Sequence, residues 1–470
     1  MRYVSTRGRA DELGFEEVML AGLARDGGLY VPKVWPVLAD GAFDAMGGAG
    51  YSEIALAVLQ PFVGDDIPQD ELADIIGEAY ATFETGEVAP LHDIGPDMWV
   101  LELFHGPTLA FKDIAMQLLA RLMDRALAKR NRRLTIIGAT SGDTGGAAIE
   151  AFRGSEAVDI FVLHPEGRVS DVQRRQMTSA HEPNVFNIAI EGTFDDCQAL
   201  VKALFNDLAL RDRLSLAGVN SINWARIMAQ TVYYVSSALA IGQQHWPAVF
   251  AVPTGNFGDI FAGYVAARMG LPISRLVIAT NENDILARTL KTGRYEPQGV
   301  RATSSPSMDI QVSSNFERLL FEVSGRDGRR VHAMMEDLGR EGTFELAAGE
   351  LEQIRAQFSA HRIDEAETAA TIAKLYETSG YLIDPHTAVG VAAALREQDA
   401  RPGPVVVLGT AHPAKFPEAV KAACGAVPQV PERLAAKLTA EERYEVMAND
   451  AGSLARYLED HARAKAEPGT

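Results

Sequence analysis

Apolar residues at Ile114, Leu118, Leu119, Leu122 and Met123 fall on one helical face, and the helix they predict opens at Phe111-Lys112-Asp113. Short apolar runs at Leu134–Gly138, Ile160–Leu163, Val185–Ile190, Val249–Val252, Leu276–Ala279 and Val405–Leu408 read as buried strands. Helical stretches follow several of them, one running through Ile260, Tyr264, Val265 and Arg268. This alternation predicts an α/β protein. The chain before residue 90 reads as mostly helical, with a turn at Asp26-Gly27-Gly28 and helical spacing over Ser52–Leu59. Residues 325–375 carry charge at helical spacing and predict an exposed helical part, and Asp384-Pro385-His386-Thr387 caps a further helix. The end of the chain predicts one peripheral helix and a frayed tail. The expected division is therefore 1–90, 91–430 and 431–470.

Composition narrows the class. At 470 residues, 47% hydrophobic and 23% charged, the chain fits a soluble globular protein of two or three domains. Its 63 acidic and 44 basic side chains give a net charge of −19, which argues against nucleic acid or an acidic membrane as partner. Two cysteines, Cys197 and Cys424, make neither a disulfide framework nor a thiolate metal site, and the ten histidines include no His-x-x-x-His pair. Met1-Arg2-Tyr3-Val4-Ser5 leads straight into charged residues, and no apolar run is long enough to span a bilayer. A cytoplasmic, metal-independent protein without an obligatory protein partner is expected.

Five segments carry candidate chemistry. Lys112 follows a turn at Gly106-Pro107-Thr108 and has bulky apolar neighbours. That setting suits a partly desolvated, nucleophilic amine, although composition alone favours a solvated surface lysine. Gly138-Ala139-Thr140-Ser141-Gly142-Asp143-Thr144-Gly145-Gly146 turns from strand to helix and could receive an anion. It is neither a Gly-x-Ser-x-Gly elbow nor a dinucleotide fingerprint. Asn220-Ser221-Ile222-Asn223-Trp224-Ala225-Arg226 opens a long helix, in which the planar fork of Arg226 suits a phosphate and Trp224 suits packing. In Thr254-Gly255-Asn256-Phe257-Gly258-Asp259, the two glycines let backbone wrap a phosphate without Cβ clashes. No lysine completes a nucleoside-triphosphate loop, so helix N-terminal amides must supply most of the attraction. Thr410 stands at the carboxyl end of a predicted buried strand, a usual position for a site.

The decapeptide Phe104–Asp113 closely resembles the pyridoxal-phosphate lysine segment of threonine synthases. Similar matches run from Arg2–Gly8 and Asp26–Pro32, typical of the longer bacterial and fungal type, through Asn281–Asp284 and Ser305–Phe316 to Gly409–Phe416. The resemblance implies the pyridoxal-phosphate fold type II, similar to the tryptophan synthase β subunit. It has two α/β domains with the cofactor between them and a mainly helical N-terminal subdomain. It implies that Lys112 forms the Schiff base with pyridoxal 5'-phosphate and serves as base for the α-proton. It further places Thr254, Gly255, Asn256, Phe257, Gly258 and Asp259 on the cofactor phosphate, and Thr410 on the pyridine nitrogen. Ser141, Gly142, Asp143 and Thr144 would hold the substrate carboxylate, and Asn220, Ser221 and Arg226 its phosphate. The implied reaction converts O-phospho-L-homoserine and water to L-threonine and phosphate. A serine or threonine dehydratase or a β-replacing synthase of the same fold needs no second anion grip, so Arg226 separates these readings. A catalytically silent homologue would not need intact Lys112, Asn256 and Thr410.

Overall fold

The computed structural model describes residues 1–140 and 142–464, and the chain falls into two compact units. One gathers Met1–Met19, Leu23–Ala115 and Ser221–Gln429; the other gathers Leu20–Gly22, Met116–Asn220 and the chain from Val430 onward.

A six-stranded sheet forms the first unit, in the order Phe358–Arg362, Ile273–Thr280, Ala248–Pro253, Val405–Gly409, Met98–Glu102, Leu91–Gly95. Every neighbouring pair is parallel except the last, a hairpin. Ala248–Pro253 and Val405–Gly409 are buried along their whole length. Strands covered on both faces read as unbroken apolar runs, which is why the sequence exposed them. The helix Pro385–Ala400 packs closely on them: a Cβ at Gly390 would lie 2.9 Å from Val407 Cγ1 and 3.1 Å from a Pro253 ring carbon. The expected cap is present, since Asp384 accepts from the backbone N–H groups of His386 and Thr387.

The N-terminal segment belongs to this unit. Its helices Phe15–Ala21, Tyr51–Val63 and Gln69–Tyr80 are accompanied by an antiparallel pair, Tyr3–Ser5 with Tyr30–Pro32. Trp224, wholly buried at the start of the helix Trp224–Ile241, lies 5.8 Å from the Tyr3 ring and 5.7 Å from Phe62. Its indole N–H donates to Tyr3 Oη at 3.1 Å, and that hydroxyl donates to Phe62 O at 2.7 Å. Trp224 is thus the packing residue the sequence suggested.

The second unit holds a parallel five-stranded sheet, ordered Glu445–Ala448, Val185–Glu191, Val158–Pro165, Leu134–Ala139, Leu216–Ala217. Among the described residues no helix is long and apolar enough to cross a membrane.

Two expectations need correction, both at sheet edges. Within residues 325–375, Phe358–Arg362 is a strand rather than helix. It is polar because Ser359 and His361 meet Glu397, at 2.7 and 3.2 Å. The tail is not a lone peripheral helix: Glu445–Ala448 pairs with Val185–Glu191, and Leu454 and Leu458 of Ala451–His461 share a core with Phe161, Ile188 and Leu200. An edge strand needs only one paired side, so its sequence can be charged and lose the apolar signature.

Candidate active site

Three adjacent parallel strands of the first unit, Met98–Glu102, Val405–Gly409 and Ala248–Pro253, release their following segments from one edge of the sheet. Carboxyl edges of parallel sheets are where sites form. The first two segments are laced together. Leu103 N donates to Gly409 O at 2.9 Å, Phe111 N to Thr410 O at 2.9 Å and His412 N to Leu109 O at 3.1 Å. Lys112 is thereby held one residue from a main-chain bond to Thr410.

The turn before Lys112 is locked by its other neighbour. Asp113, wholly buried, accepts from Thr108 N and Thr108 Oγ1, each at 2.7 Å. Gly106 is packed so closely that a Cβ there would lie 2.5 Å from Asp113 Cβ, which forbids any side chain. Lys415 Nζ donates to Thr108 O at 2.8 Å from beyond Thr410. Lys112 opens the helix Lys112–Lys129 and is only 8% exposed, its Nζ 4.9 Å from the Phe111 ring centroid. The desolvated setting expected of it is present.

Thr254–Asp259 leads from Ala248–Pro253 into the helix Gly258–Arg268, which starts with no side-chain cap. Bonds that hold the loop use its carbonyl oxygens. Ser313 Oγ donates to Gly255 O at 2.6 Å, while Asn315 N and Nδ2 donate to Asn256 O at 3.0 and 2.9 Å. Thr254 Oγ1 turns back to Val252 O at 2.6 Å. Phe257 adopts φ +64°, unfavourable for a residue with a Cβ. Its buried ring, packed 5.3 Å from Phe316 and 5.8 Å from Phe358, offsets that strain. Cβ atoms at Gly255 and Gly258 would meet Ser307 O at 3.1 Å and Asn315 Nδ2 at 3.2 Å. This glycine-lined turn at an uncapped helix start fits the phosphate of pyridoxal phosphate, and Lys112 fits its aldehyde.

Asp259, behind the loop, accepts from Tyr233 Oη and, at 3.3 Å, from Tyr234 Oη, while its Oδ2 is buried without a hydrogen bond. Burial pushes its carboxyl up to about 7, opposed by the two tyrosine hydroxyls and the Lys112 charge. Arg226 is buried on Trp224–Ile241, and burial pulls its guanidinium down to about 10. The start of that helix abuts the loop: a Gly258 Cβ would lie 3.4 Å from Ile227 Cδ1 and 3.7 Å from Ser221 O. Asn315 Nδ2 also reaches Ser221 Oγ at 3.4 Å. The first unit thus gathers Lys112, Thr254–Asp259, Thr410 and Ser221, and Arg226 belongs to the same unit, buried on Trp224–Ile241.

Gly142, Asp143, Thr144 and Asn220 belong to the second unit, and Ser141 lies outside the described residues. Gly142 takes φ +145°, and a Cβ there would strike the Gln173 side chain at 2.4 Å. Thr140 Oγ1 accepts from Gly142 N and Gly145 N at 3.0 and 2.9 Å, and Gln173 Nε2 donates to Asp143 Oδ1 at 3.0 Å. Thr140 and Gln173 shape this turn in the way Ser313 and Asn315 shape the other. Sequence reasoning named neither pair as site residues, although Thr140, Ser313 and Asn315 stood in stretches it had singled out, and only Gln173 lay outside them.

Comparison with known proteins identifies the family. The family model for the threonine synthase N terminus matches residues 2–80, that for pyridoxal-phosphate dependent enzymes residues 87–410, and that for the threonine synthase C-terminal region residues 387–458. A threonine synthase of Pseudomonas aeruginosa is 51% identical, over 98% of both chains. The crystal structure of a pyridoxal-phosphate-bound threonine synthase from Brucella melitensis superposes with a TM-score of 0.96 at 57% identity, covering 99% of this chain and 100% of that one. Threonine synthase from yeast gives 0.92 at 38% identity, over 98% of each chain. The chain belongs to the threonine synthase family, lyases of fold type II that depend on pyridoxal phosphate.

Proposed function

We propose that the residues gathered here convert O-phospho-L-homoserine and water to L-threonine and phosphate, with Lys112 as cofactor anchor and as base. The observation that carries this reading is the buried Lys112 tied by main-chain bonding to the Thr410 segment, with the glycine turn at Gly255–Gly258 leaving the same sheet edge. When bound, pyridoxal phosphate supplies the sink for the electron pair left at the α-carbon.

Lys112 Nζ, freed once the substrate amine takes its place, removes the α-proton and holds it as an ammonium. Gly255–Gly258 and the amides opening Gly258–Arg268 hold the cofactor phosphate. The Thr410 hydroxyl, a neutral partner for the ring nitrogen, imposes no proton there. Ser141, Gly142, Asp143 and Thr144 take the substrate carboxylate, and Asn220, Ser221 and Arg226 its phosphate. A buried guanidinium attracts a phosphate dianion more strongly than a hydrated one, and more so as the carbon–oxygen bond breaks. A cytoplasmic setting belongs to the same reading, supported by two cysteines that form no disulfide.

The test is phosphate release and product analysis on purified enzyme with O-phosphohomoserine, homoserine and serine. Threonine formed only from the phosphorylated substrate is expected. Ammonia and a 2-oxoacid from serine at comparable rates would instead establish a dehydratase.

A further inference from the structure

We propose that His386 is a positioning residue for the cofactor-phosphate turn, acting through Ser307 as a neutral imidazole fixed by Asp384. The proposal rests on the assignment of Thr254–Asp259 to that phosphate. His386 and Asp384 are 2% and 0% exposed, so both are committed to partners inside the protein. The Ser307 backbone N–H donates to His386 Nε2 at 3.1 Å, and an N–H can only donate. Nε2 is therefore the unprotonated nitrogen. Nδ1, 2.6 Å from Asp384 Oδ2, must then carry the proton and donate it. Asp384 is itself held, with Oδ1 accepting from Thr387 N at 3.0 Å and Oδ2 from His386 N at 3.0 Å. The imidazole also packs on the Phe416 ring at 4.9 Å.

This bond ties an irregular segment to a helix. Asp384 and His386 open the helix Pro385–Ala400, which is pressed through Gly390 onto Val407 and Pro253, in the strands that lead to Thr410 and to Thr254. Ser307 lies in the irregular segment between Thr303 and Asn315, whose carbonyl oxygen sits 3.1 Å from where a Gly255 Cβ would be. The same segment grips the turn again through Ser313 and Asn315. At its other end it is fastened by Asp309, which accepts from Asn281 Nδ2 at 2.8 Å, Asn283 Nδ2 at 2.9 Å and Thr303 N at 2.9 Å. Ser307 lies between Thr303 and Asp309, and through it the His386 acceptor joins this wall of the turn to the helix Pro385–Ala400. Without it, the part-buried Ser307 N–H loses this partner and the wall of the phosphate turn can shift.

Two variants separate this role from packing. His386→Met keeps most of the volume and removes the acceptor; His386→Gln keeps an acceptor near the place of Nε2. Apoprotein is titrated with pyridoxal phosphate by absorbance, and turnover is then measured at saturating cofactor. His386→Met should weaken cofactor binding about tenfold, His386→Gln should stay within about threefold of wild type, and saturated kcat should barely change in either. Unchanged affinity in His386→Met, or equal loss in both variants, overturns the proposal. Gly255→Val runs in parallel: unchanged affinity there shows the phosphate turn itself to be misassigned, and removes the basis for a role of His386. Nitrogen-15 spectra of histidine-labelled wild-type holoenzyme give a reading that needs no variant to fold. A neutral Nδ1–H tautomer at His386 is expected, and an Nε2–H tautomer or an imidazolium overturns the proposal.

Discussion

Replacing Gly106 with alanine is expected to dislodge Lys112 without touching it. The added Cβ would lie 2.5 Å from Asp113 Cβ, 2.6 Å from Asp113 Oδ2 and 2.9 Å from Asp113 Cγ. None of these is the free end of a flexible chain, because the Asp113 carboxyl is fixed at 2.7 Å to both Thr108 N and Thr108 Oγ1 in a fully buried site. Asp113 must move, and the two bonds must lengthen or break. Stripping a partner from a buried polar group costs about 1–3 kcal/mol, so the loss of stability should be about 2–4 kcal/mol. Lys112 precedes Asp113 directly, so the amine moves with it, and cofactor affinity and turnover should fall together. Urea unfolding of the apoprotein gives the first quantity, and absorbance titration with pyridoxal phosphate the second. If Asp113 transmits the effect, Gly106→Ala adds little to Asp113→Gly, which removes the Cβ, the carboxyl and both bonds together, because the clash and the bonds share one side chain. A loss below about 0.5 kcal/mol, or full additivity in the double variant, would refute this account of the turn.

Three further outcomes follow from the site. Lys112→Ala should abolish turnover and the visible absorbance of lysine-bound cofactor while leaving the far-ultraviolet circular dichroism unchanged; retained absorbance would refute the assignment. Arg226→Ala should lower kcat/KM for O-phosphohomoserine by on the order of 10²-fold, roughly 3 kcal/mol, and leave binding of a non-phosphorylated amino acid intact; equal damage to both marks Arg226 as structural. Asp259 titrates higher in the fold than its ordinary value of 3.8, at about 7, because burial disfavours its charge. The folded state binds that proton more tightly than the unfolded chain, so this group's contribution to stability declines as pH rises from 3.8 to about 7 and is lost above. Asp259→Asn should therefore gain on wild type between pH 5 and pH 8 in apoprotein melts, and a constant difference would contradict the buried-acid account.

The parts of the site that the sequence made legible are those written in one short stretch. Phe104–Asp113 announces a turn, a lysine and the first turn of a helix, and the structure keeps all three together. Thr254–Asp259 announces glycines between a strand and a helix, and both elements are there. The central strands were legible because burial on two faces leaves an uninterrupted apolar run. Phe358–Arg362 and Glu445–Ala448 were not, since an edge strand is free to carry polar side chains outward.

What stayed hidden is the layer that holds those stretches in shape, and the reason is sequence separation. Asn315 bonds Asn256 from 59 residues away, Ser313 bonds Gly255 from 58, and Lys415 bonds Thr108 from 307. A serine or asparagine in an irregular segment reads as turn chemistry whichever backbone it finally meets, because its donor is equally suited to a neighbouring carbonyl and to a distant one. Only the closed chain decides between them. Asp113 shows the same limit within a motif: beside Lys112 it reads as an acidic residue in the first turn of a helix, whereas its carboxyl turns back to Thr108. The bond that matters there depends on Gly106 bringing the turn within van der Waals contact. A lysine placed to react and the glycine that lets its neighbour hold the loop are therefore one device. Function is read from the lysine, and its precision from a residue with no side chain at all.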